Sequence, residues 1–411
     1  MLRFFKRAKP EAQANKAREA LAAGQAQQAA ELCLAALKAH PDHPECRTLL
    51  ARAYEQLDRV GEAIEAYEAA CDVTPSYPNL LAAASLYAKA ADWERAEQKF
   101  HAAVESFPTS LPAWRGLADA RRRLGKVELV VRCREMIASL APDDVDARLD
   151  LAEACAEAGD LAQAAELSNA VLEAEPDNRR ALHCLANCLA AQDLWHEAIG
   201  AYRQLLRLVM LDAQAAPAER ASLHYDLAVA LRQVDSPDEA LTHLQACQEL
   251  QPTFLPAYRT LLELHRGRHD LPSAIAVTRQ AIELDPSQPS IWHDLGTLHL
   301  AAGDPKAALE AFARAIELKP GYTEAIAGSA QALSAAGKHH RAKAICEKLC
   351  VRRAFQALPH LTYARVLRAA GEPEAALHHA DTALAIAATD PEARKLKQAL
   401  LDELGGKPAR H

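Results

Sequence analysis

The chain has 411 residues, of which 50% are hydrophobic, 5% aromatic and 25% charged, and its formal net charge is −8. This negative balance argues against a general nucleic-acid partner, because the phosphate backbone is bound through surplus lysine and arginine. No stretch approaches the roughly 20 uncharged apolar residues that a membrane-spanning helix needs. We therefore expect neither nucleic-acid binding nor a helix that crosses a bilayer.

The chain begins with a basic segment, residues 1–9, in which Phe4 and Phe5 stand among four cations. The residues that follow are charged, whereas a signal peptide continues with an apolar run, so we do not expect export. Two readings of the segment stay open. It is either a frayed terminus or a weak peripheral contact with an anionic membrane surface. We expect a cytoplasmic protein, with the inner membrane face as the alternative place.

Proline returns along the chain at a fixed period. The intervals are 34, 33, 34, 34, 76, 34 and 34 residues, between Pro41, Pro75, Pro108, Pro142, Pro176, Pro252, Pro286 and Pro320. The interval of 76 is two periods of 34 plus eight residues, so one insertion interrupts the register. A period of this length predicts repeated structural units, each of which buries its apolar face only against its neighbours.

Each period carries two helical patterns. In the period from Pro289, apolar and small residues fall three or four apart on one face of each helix, namely Trp292, Leu295, Gly296 and His299, and then Ala308, Phe312 and Ala315. Gly303 and Asp304 separate the two patterns. Pro320 ends the second helix, because proline lacks the N–H of the helical ladder and disfavours a helical residue before it.

This pattern resembles the tetratricopeptide repeat, W-x2-L-G-x2-Y, A-x3-F and P, with His299 in place of the tyrosine. Eleven copies fit between about Pro10 and Asp390. The copy from Leu111 departs most, since Arg121, Val130 and Arg134 stand where Tyr, Ala and Phe are usual. The resemblance implies an all-α fold, a right-handed α-solenoid superhelix of about eleven helix-turn-helix repeats.

The period also predicts the order of segments along the chain. Copies one to six occupy residues 10–206, an insertion occupies 207–220, copies seven to eleven occupy 221–390, a capping helix spans 391–404, and a tail follows at 405–411. Within the insertion, the second helix continues through Leu211, and Pro217 suits the first turn of the next helix. Apolar residues around Met210 then need cover. Either the neighbouring loop or a second chain supplies it, so self-association stays open.

Ten cysteines are present, and their placement favours free thiols. Cys33, Cys155, Cys247 and Cys346 take positions that other copies fill with Ala, Tyr or Leu, which is typical of buried free cysteine in a reducing compartment. Cys184 and Cys188, beside His183, are the one pair that suggests a metal. We expect packing there, because a structural zinc site needs four ligands and no second pair lies near. His378 and His379 are interpreted as polar residues of a second helix, and no metal is expected.

The sequence offers no chemistry that we recognise as catalytic. Phosphate-loop, dinucleotide-binding, zinc-protease and serine-hydrolase motifs are all missing. We expect no enzyme activity and no cofactor.

The resemblance implies that first helices line a concave groove, with positions 2, 5, 9 and 12 of each copy facing it. The residues so placed or adjacent form a candidate partner-binding set: Arg115, Asp119, Arg122, Arg123, Asp150, Glu153, Glu157, Arg180, His183, Asn187, Tyr225, Arg232, Arg259, Glu263, His293 and Thr297. Their charges alternate in sign along the array. A peptide of mixed charge suits such a groove better than a ligand of a single sign.

The preferred function is a non-catalytic scaffold that binds a protein partner, as a peptide or helical segment, in this groove. The clamp by which some relatives hold chaperone C-termini is not expected, because Asn187 follows His183 rather than lysine. The alternative is an accessory subunit that positions substrate for an envelope polysaccharide or protein-glycosylation system.

Overall fold

The computed structural model describes residues 10–405. The basic segment 1–9 and the predicted tail beyond residue 405 lie outside that range. The helices are α1 (Pro10–Ala22), α2 (Ala26–Ala39), α3 (Pro44–Gln56), α4 (Val60–Val73), α5 (Tyr77–Lys89), α6 (Trp93–Ser106), α7 (Leu111–Arg123), α8 (Val127–Leu140), α9 (Val145–Glu157), α10 (Leu161–Ala174), α11 (Arg179–Ala191), α12 (Trp195–Leu211), α13 (Pro217–Gln233), α14 (Pro237–Leu250), α15 (Leu255–Gly267), α16 (Leu271–Leu284), α17 (Pro289–Ala301), α18 (Pro305–Leu318), α19 (Thr323–Ala335), α20 (His339–Arg352), α21 (Ala357–Ala369), α22 (Pro373–Ile386) and α23 (Pro391–Gly405).

The helices form eleven antiparallel pairs, one for each predicted copy, and α23 packs against the last pair. The predicted helix-turn-helix repeats are therefore confirmed. Odd-numbered helices α1 to α21 are the first helices of copies one to eleven, and even-numbered helices are the second. First helices also touch the first helix of an adjacent copy, as α9 does α11 and α17 does α19. Positions within a copy are counted from the first residue of its first helix, for example from Leu255 in copy eight. Copy seven is the exception: its count starts at Ala221, inside α13.

Side chains at the helix starts explain why the helices begin where they do. The Asp304 carboxylate accepts a hydrogen bond from the Ala307 N–H at 3.0 Å, and Asp160 accepts one from Gln163 at 3.1 Å. Each satisfies an N–H that has no partner inside its helix. Ser110 does the same for the first helix of copy four.

The turn inside every copy contains one residue with left-handed backbone. The eleven residues are Gly24, Asp58, Ala91, Gly125, Gly159, Asp193, Asp235, His269, Gly303, Gly337 and Gly371. Glycine adopts this conformation without a steric penalty, whereas a residue with a Cβ atom costs about 1–2 kcal/mol. The glycine spacing found in the sequence thus reports a single turn geometry, and Ala91 (φ 59) keeps it without glycine.

The turn between copies is fixed by position 4 of the following first helix. The indole N–H of Trp292 donates to the Pro286 carbonyl at 2.9 Å, and the Tyr258 hydroxyl donates to the Pro252 carbonyl at 2.8 Å. Trp114 makes the same bond to the in-phase proline before its copy. The recurring proline therefore both ends one helix and offers the carbonyl that anchors the next.

The residue at position 24 of a copy lies in its second helix and fills the core between adjacent copies. In copy nine this residue is Phe312, which is fully buried against Gly296 and against Gly328 of copy ten. A methyl group at Gly296 would lie 2.6 Å from the Phe312 Cε1, and one at Gly328 would lie 2.5 Å from its Cζ. The two glycines are therefore required by the ring that packs on them.

The insertion coincides with a division of the chain into two compact units, Met1–Leu211 and Asp212–His411, called unit 1 and unit 2. As predicted, the second helix of copy six runs on to Leu211 and the next helix starts at Pro217. Residues 212–216 and the longer helices on either side lie at this boundary, where the predicted insertion interrupts the 34-residue frame. Met210 and Leu211 are 51% and 80% exposed, and their cover by a second chain stays a prediction.

All ten cysteines are free, and every one except the half-buried Cys350 is buried. Cys184 and Cys188 pack in the core of copies five and six, as expected from their spacing. Burial raises the pKa of Cys33 and of Cys346 to about 12. These thiols act as small apolar residues that hold their protons.

Candidate binding surfaces

The predicted set falls on both units and is described for each in turn. In unit 1 it forms a charged surface on copies four to six, made by Arg115, Asp119, Arg122, Arg123, Asp150, Glu153, Glu157, Arg180, His183 and Asn187. The structure pairs most of these charges with one another. A ligand there meets ion pairs that are already formed, rather than isolated charges.

Arg180 is the centre of the acidic part of this surface. Its guanidinium donates to Asp146 at 2.9 Å, to Asp150 at 2.9 Å and to Glu153 at 3.0 Å. Burial opposes the charged form, but hydrogen bonds to Asp150 and Glu153 outweigh it and raise the pKa of Arg180 above its usual value. The alternation of sign predicted along the chain thus becomes direct pairing across adjacent first helices.

Arg134, which the sequence analysis noted only as a departure from the repeat, is a buried part of the same network. It takes position 24, the place of Phe312 in copy nine. Its side chain is 7% exposed and donates to Asp150 at 2.7 Å and to Asp119 at 3.3 Å. Asp150 takes position 6 of copy five. The equivalent residue of copy ten is Gly328, against which the ring of Phe312 packs. One aromatic contact of the repeat is therefore replaced in copy four by an ion pair.

The other departure in copy four, Arg121, is satisfied in the same way. It donates to Glu97 of copy three at 3.2 Å and to the Cys133 sulfur at 3.1 Å, and Lys126 donates to Glu97 at 2.5 Å. Burial alone would raise the pKa of Glu97, but its bonds to Lys126 and Arg121 outweigh burial and lower it. The packing of copy four thus rests on charges where other copies use Tyr and Phe.

The basic members of the surface are more accessible. Arg115 pairs with Asp144 at 3.1 Å, and the guanidinium of Arg123 lies over the Trp93 ring, 5.6 Å from its centroid. Arg122 is 3.9 Å from Glu157. Asp119, Arg122 and Arg123 also line a groove of about 800 Å³ with Trp93 and Phe100. Exposed pairs of this kind contribute little stability, so these arginines are free to exchange partners.

His183 and Asn187 close the surface in copy six. The Asn187 amide contacts the His183 Nε2 at 3.3 Å and accepts a hydrogen bond from the Tyr202 hydroxyl at 2.6 Å. Tyr202 occupies position 24 of this copy. Asn187 therefore has a structural partner in its own copy.

In unit 2 two predicted residues, Arg259 and Glu263, line a pocket of about 350 Å³ between α15, α16 and α17. Buried apolar residues supply one part of its wall, notably Leu262 and Ile291. Exposed or half-exposed charges of both signs supply the other part, formed by Arg259, Glu263, Arg266 and Asp294. The volume lies in the range of natural ligand pockets.

Position 24 explains why this pocket exists. In copy eight it is Thr278, a small residue that is buried and donates to the Ala274 carbonyl at 2.7 Å. Leu262 at position 8 and Asp294 at position 6 of the next copy also line the pocket, and their counterparts in copies nine and ten are Gly296 and Gly328. The pocket therefore lies at the place that Phe312 fills in copy nine, but with Leu262 and Asp294 where that copy and the next have glycines. Sequence reasoning missed it, although Thr278 in place of Phe was the signal.

The remaining predicted residues of unit 2 do not line this pocket. Tyr225 packs edge-on against Phe254 with ring centroids 5.1 Å apart, and Arg232 pairs with Glu263. His293 packs against Phe312 and Tyr322, while the Thr297 hydroxyl donates to the Asp294 carbonyl at 2.8 Å. His293 and Thr297 thus have local partners.

Sequence reasoning also missed two histidine clusters of unit 2. The Nδ1 atoms of His224 and His243 are 2.8 Å apart, and those of His360 and His379 are 3.2 Å apart. Cys350 joins the second pair. In both pairs the partners are separated by 19 residues, which no local motif reveals.

No helix in residues 10–405 combines the length and apolar character needed to cross a bilayer.

Comparison with known families gives one consistent result. Two profiles described as tetratricopeptide repeat match the chain, one at residues 15–78, 81–129 and 259–323 and the other at 132–188 and 299–349. Together these segments cover more than half of the chain. No curated protein gives a significant match.

Several solved structures are similar. The structure of Naa15/Naa10 bound to HypK-THB has 16% identity and a TM-score of 0.47, over 98% of this chain and 69% of that one. The C-terminal part of a TPR repeat-containing protein from Cytophaga hutchinsonii has 19% identity and a TM-score of 0.49, over 60% and 98%. YrrB, a TPR protein with an unusual peptide-binding site, has 19% identity and a TM-score of 0.39, over 47% and 95%.

Proposed function

The chain belongs to the tetratricopeptide repeat family, and from that premise we propose that it is a non-catalytic cytoplasmic scaffold that binds a protein partner through a peptide segment. The observation that carries this proposal is the unfilled position-24 slot of copy eight. Its lining combines buried apolar side chains with exposed charges on the first-helix face. We assign the pocket to one large apolar or aromatic side chain of the bound peptide.

The charges around the slot define the rest of the ligand. Arg259 donates to Gln288 at 3.1 Å and Glu263 pairs with Arg232, while Arg266 stands exposed one turn further along α15. Both signs therefore flank the apolar slot within one helix. A peptide with an acidic residue on one side of its anchor and a basic residue on the other matches this arrangement.

The charged surface of unit 1 is proposed as a second, weaker contact region. Its arginines Arg115, Arg122 and Arg123 are available, whereas Asp150 is engaged by Arg134 and Arg180. Reversing Asp150 would thus disturb the fold of copies four and five. We therefore place the decisive test in unit 2.

The test starts from a random peptide library selected on tag-free protein, followed by calorimetric titration of the best peptide. Thr278→Phe places a ring in the pocket volume, where Leu262 and Asp294 stand in place of the glycines of copies nine and ten, so it fills the opening without reproducing the contact of Phe312. We expect it to weaken binding at least about tenfold, a loss of about 1.4 kcal/mol. Thr278→Val, which keeps the volume small, should bind nearly as well as the parent. Urea unfolding of both variants separates a filled slot from a damaged fold.

Charge reversal then tests the flanks. Arg266→Glu and Glu263→Lys should each weaken a mixed-charge peptide, chiefly through slower association and altered salt dependence. A plain anionic ligand would instead lose affinity with the first variant and gain it with the second. The matched controls are Arg279→Glu and Glu283→Lys on the exposed face of α16. Full binding by Thr278→Phe, or equal effects of groove and control variants, would refute the proposal.

A further inference from the structure

Three metal-ligating side chains of unit 2 converge from three consecutive helices. Cys350 lies in the last turn of α20, His360 in the first turn of α21, and His379 in α22. One ligand atom from each lies within 4.8 Å of the other two. Within residues 10–405 this is the one group of three or more such side chains that meets this spacing. We propose that Cys350, His360 and His379 bind a zinc ion between copies ten and eleven, with water as the fourth ligand.

The two imidazoles already have the spacing that zinc requires. Zinc binds histidine nitrogen at about 2.0–2.1 Å and thiolate at about 2.3 Å, so neighbouring ligand atoms of a tetrahedral centre are roughly 3.3–3.7 Å apart. The Nδ1 atoms of His360 and His379 are 3.2 Å apart. The Cys350 sulfur lies within 4.8 Å of one ring nitrogen of each histidine, so a small side-chain movement is needed to complete the shell.

The polar atoms of the cluster lack sufficient partners within the protein. The Nε2 of His360 is buried and has no hydrogen-bond partner. The ring of His379 is held by that of Tyr363, with centroids 4.4 Å apart, and the Tyr363 hydroxyl donates to Glu347 at 2.9 Å. One ligand is therefore oriented before any metal arrives.

The repeat shows that this cluster is not a general feature of packing. His360 takes position 4, which in copies four, eight and nine carries the Trp or Tyr that donates to a proline carbonyl. His224 and His243 occupy the same positions 4 and 23 in copy seven, where their Nδ1 atoms are also in contact. Cys350 belongs to copy ten, which precedes His360 and His379. The same position of copy six, which precedes His224 and His243, holds Leu206. Copy seven thus offers two nitrogens without a thiol, and copy eleven offers two nitrogens with one.

The charge of the proposed site follows from its ligands. Zinc binds neutral imidazole and thiolate, so the Cys350 thiol releases its proton to solvent as the sulfur–zinc bond forms. One thiolate and two neutral imidazoles leave a net charge of +1 and an open fourth position for water.

The experiment uses tag-free full-length protein with cobalt(II) and zinc(II) as probes. Cobalt should give visible d–d bands of tetrahedral coordination and a sulfur-to-metal charge-transfer band, at one equivalent per chain. Zinc should displace it. Without any mutation, zinc should also slow the alkylation of Cys350, measured by peptide mass spectrometry, while the other nine thiols serve as internal references.

Variants then assign the ligands. Cys350→Ser should abolish the charge-transfer band, and His360→Gln should abolish tight binding of both metals. His224→Gln removes the equivalent imidazole of copy seven and should leave the spectrum and stoichiometry unchanged. Retention of the charge-transfer band in Cys350→Ser would overturn the proposal. So would alkylation of Cys350 at the same rate with and without zinc, or loss of binding in His224→Gln.

Discussion

Copy four and copy nine use the same slot of the repeat in opposite ways. In copy nine, Phe312 at position 24 presses on Gly296 and Gly328, so the contact is apolar and requires the two glycines. In copy four, Arg134 at position 24 pairs with Asp119 and Asp150, so the contact is ionic and requires carboxylates. The backbone frame is the same in both. What differs is the response to pH, salt and substitution.

Copy eight shows the third outcome, in which the slot stays unfilled. Thr278 is too small to replace the ring, and the cavity of about 350 Å³ remains. The three copies therefore show how the residue at position 24, with its neighbours at positions 8 and 6, decides between an aromatic contact, an ionic contact and a cavity. A slot filled by its own chain stabilises the array, whereas the cavity of copy eight is the one that we propose takes a peptide side chain.

The largest expected effect is on the aromatic side of the comparison. Phe312→Ala removes a fully buried ring that the neighbouring glycines cannot replace, so we expect a loss of about 3–5 kcal/mol. Because repeats are stabilised mainly by nearest neighbours, hydrogen exchange should accelerate most in copies nine and ten. Thr278→Ala, the same position in copy eight, is the control and should cost much less. Uniform acceleration across unit 2 would contradict local packing.

A smaller effect is expected when the ionic slot is converted into the aromatic one. Arg134→Phe alone places a ring against Asp150, and Asp150→Gly alone removes one partner of Arg134. The double variant recreates the pairing of Phe100 with Gly116 between copies three and four, since Ala118 then stands where Ala84 stands in copy three. We expect it to be more stable than either single variant, with a coupling energy of about 1–3 kcal/mol in a double-mutant cycle of urea unfolding. Simple additivity of the two losses would mean that the slots are not equivalent.

The smallest expected effect is on how the stability of the charged packing around copy four depends on pH. Glu97 has a lowered pKa in the folded protein, so the unfolded chain binds more protons than the folded one as the pH falls. The stability that Glu97 contributes is therefore complete above its unfolded pKa, about 4.3, and is lost as the pH drops through the folded value. Stability should decline less steeply below about pH 4.3 in Glu97→Gln than in the parent.

A Trp292→Phe background allows this measurement in unit 1, because the remaining tryptophans, Trp93, Trp114 and Trp195, all lie there. Urea unfolding followed by their fluorescence at several pH values gives the slope. Hydrogen exchange in copy nine should show no difference between Glu97→Gln and the parent. An identical acid response of unit 1 in both proteins would remove Glu97 from the account of copy four.

The repeat frame was readable from the sequence because its signals are local. Proline stops a helix, glycine permits a left-handed turn, and an apolar face needs only three- and four-residue spacing, so helix pairs such as α17 and α18 follow directly. The end of α12 at Leu211 and the start of α13 at Pro217 were predicted on the same grounds. These properties depend on residues close together in the chain.

The sites were less readable because they depend on contacts between copies. The set of groove residues was named by position, yet its charges, such as Arg180 and Asp150, pair with each other across adjacent helices. The partner of Arg134 lies at position 6 of the next copy, and Thr278 gains meaning only beside Phe312. Comparing the residues at position 24 across copies would have singled out Arg134 and Thr278. The meeting of Cys350 with His360 and His379 follows from packing geometry alone.

The buried cysteines give the molecule a set of built-in reporters along its length. Copies one, two, four, five, six, seven and ten each hold at least one buried thiol. A thiol that keeps its proton in the core reacts with an alkylating agent only when its own copy opens, so the rate at each cysteine measures the opening free energy of that copy. Timed labelling of the unmodified protein would thus trace which copies open first, and full unfolding in air would let the exposed thiols cross-link and prevent refolding.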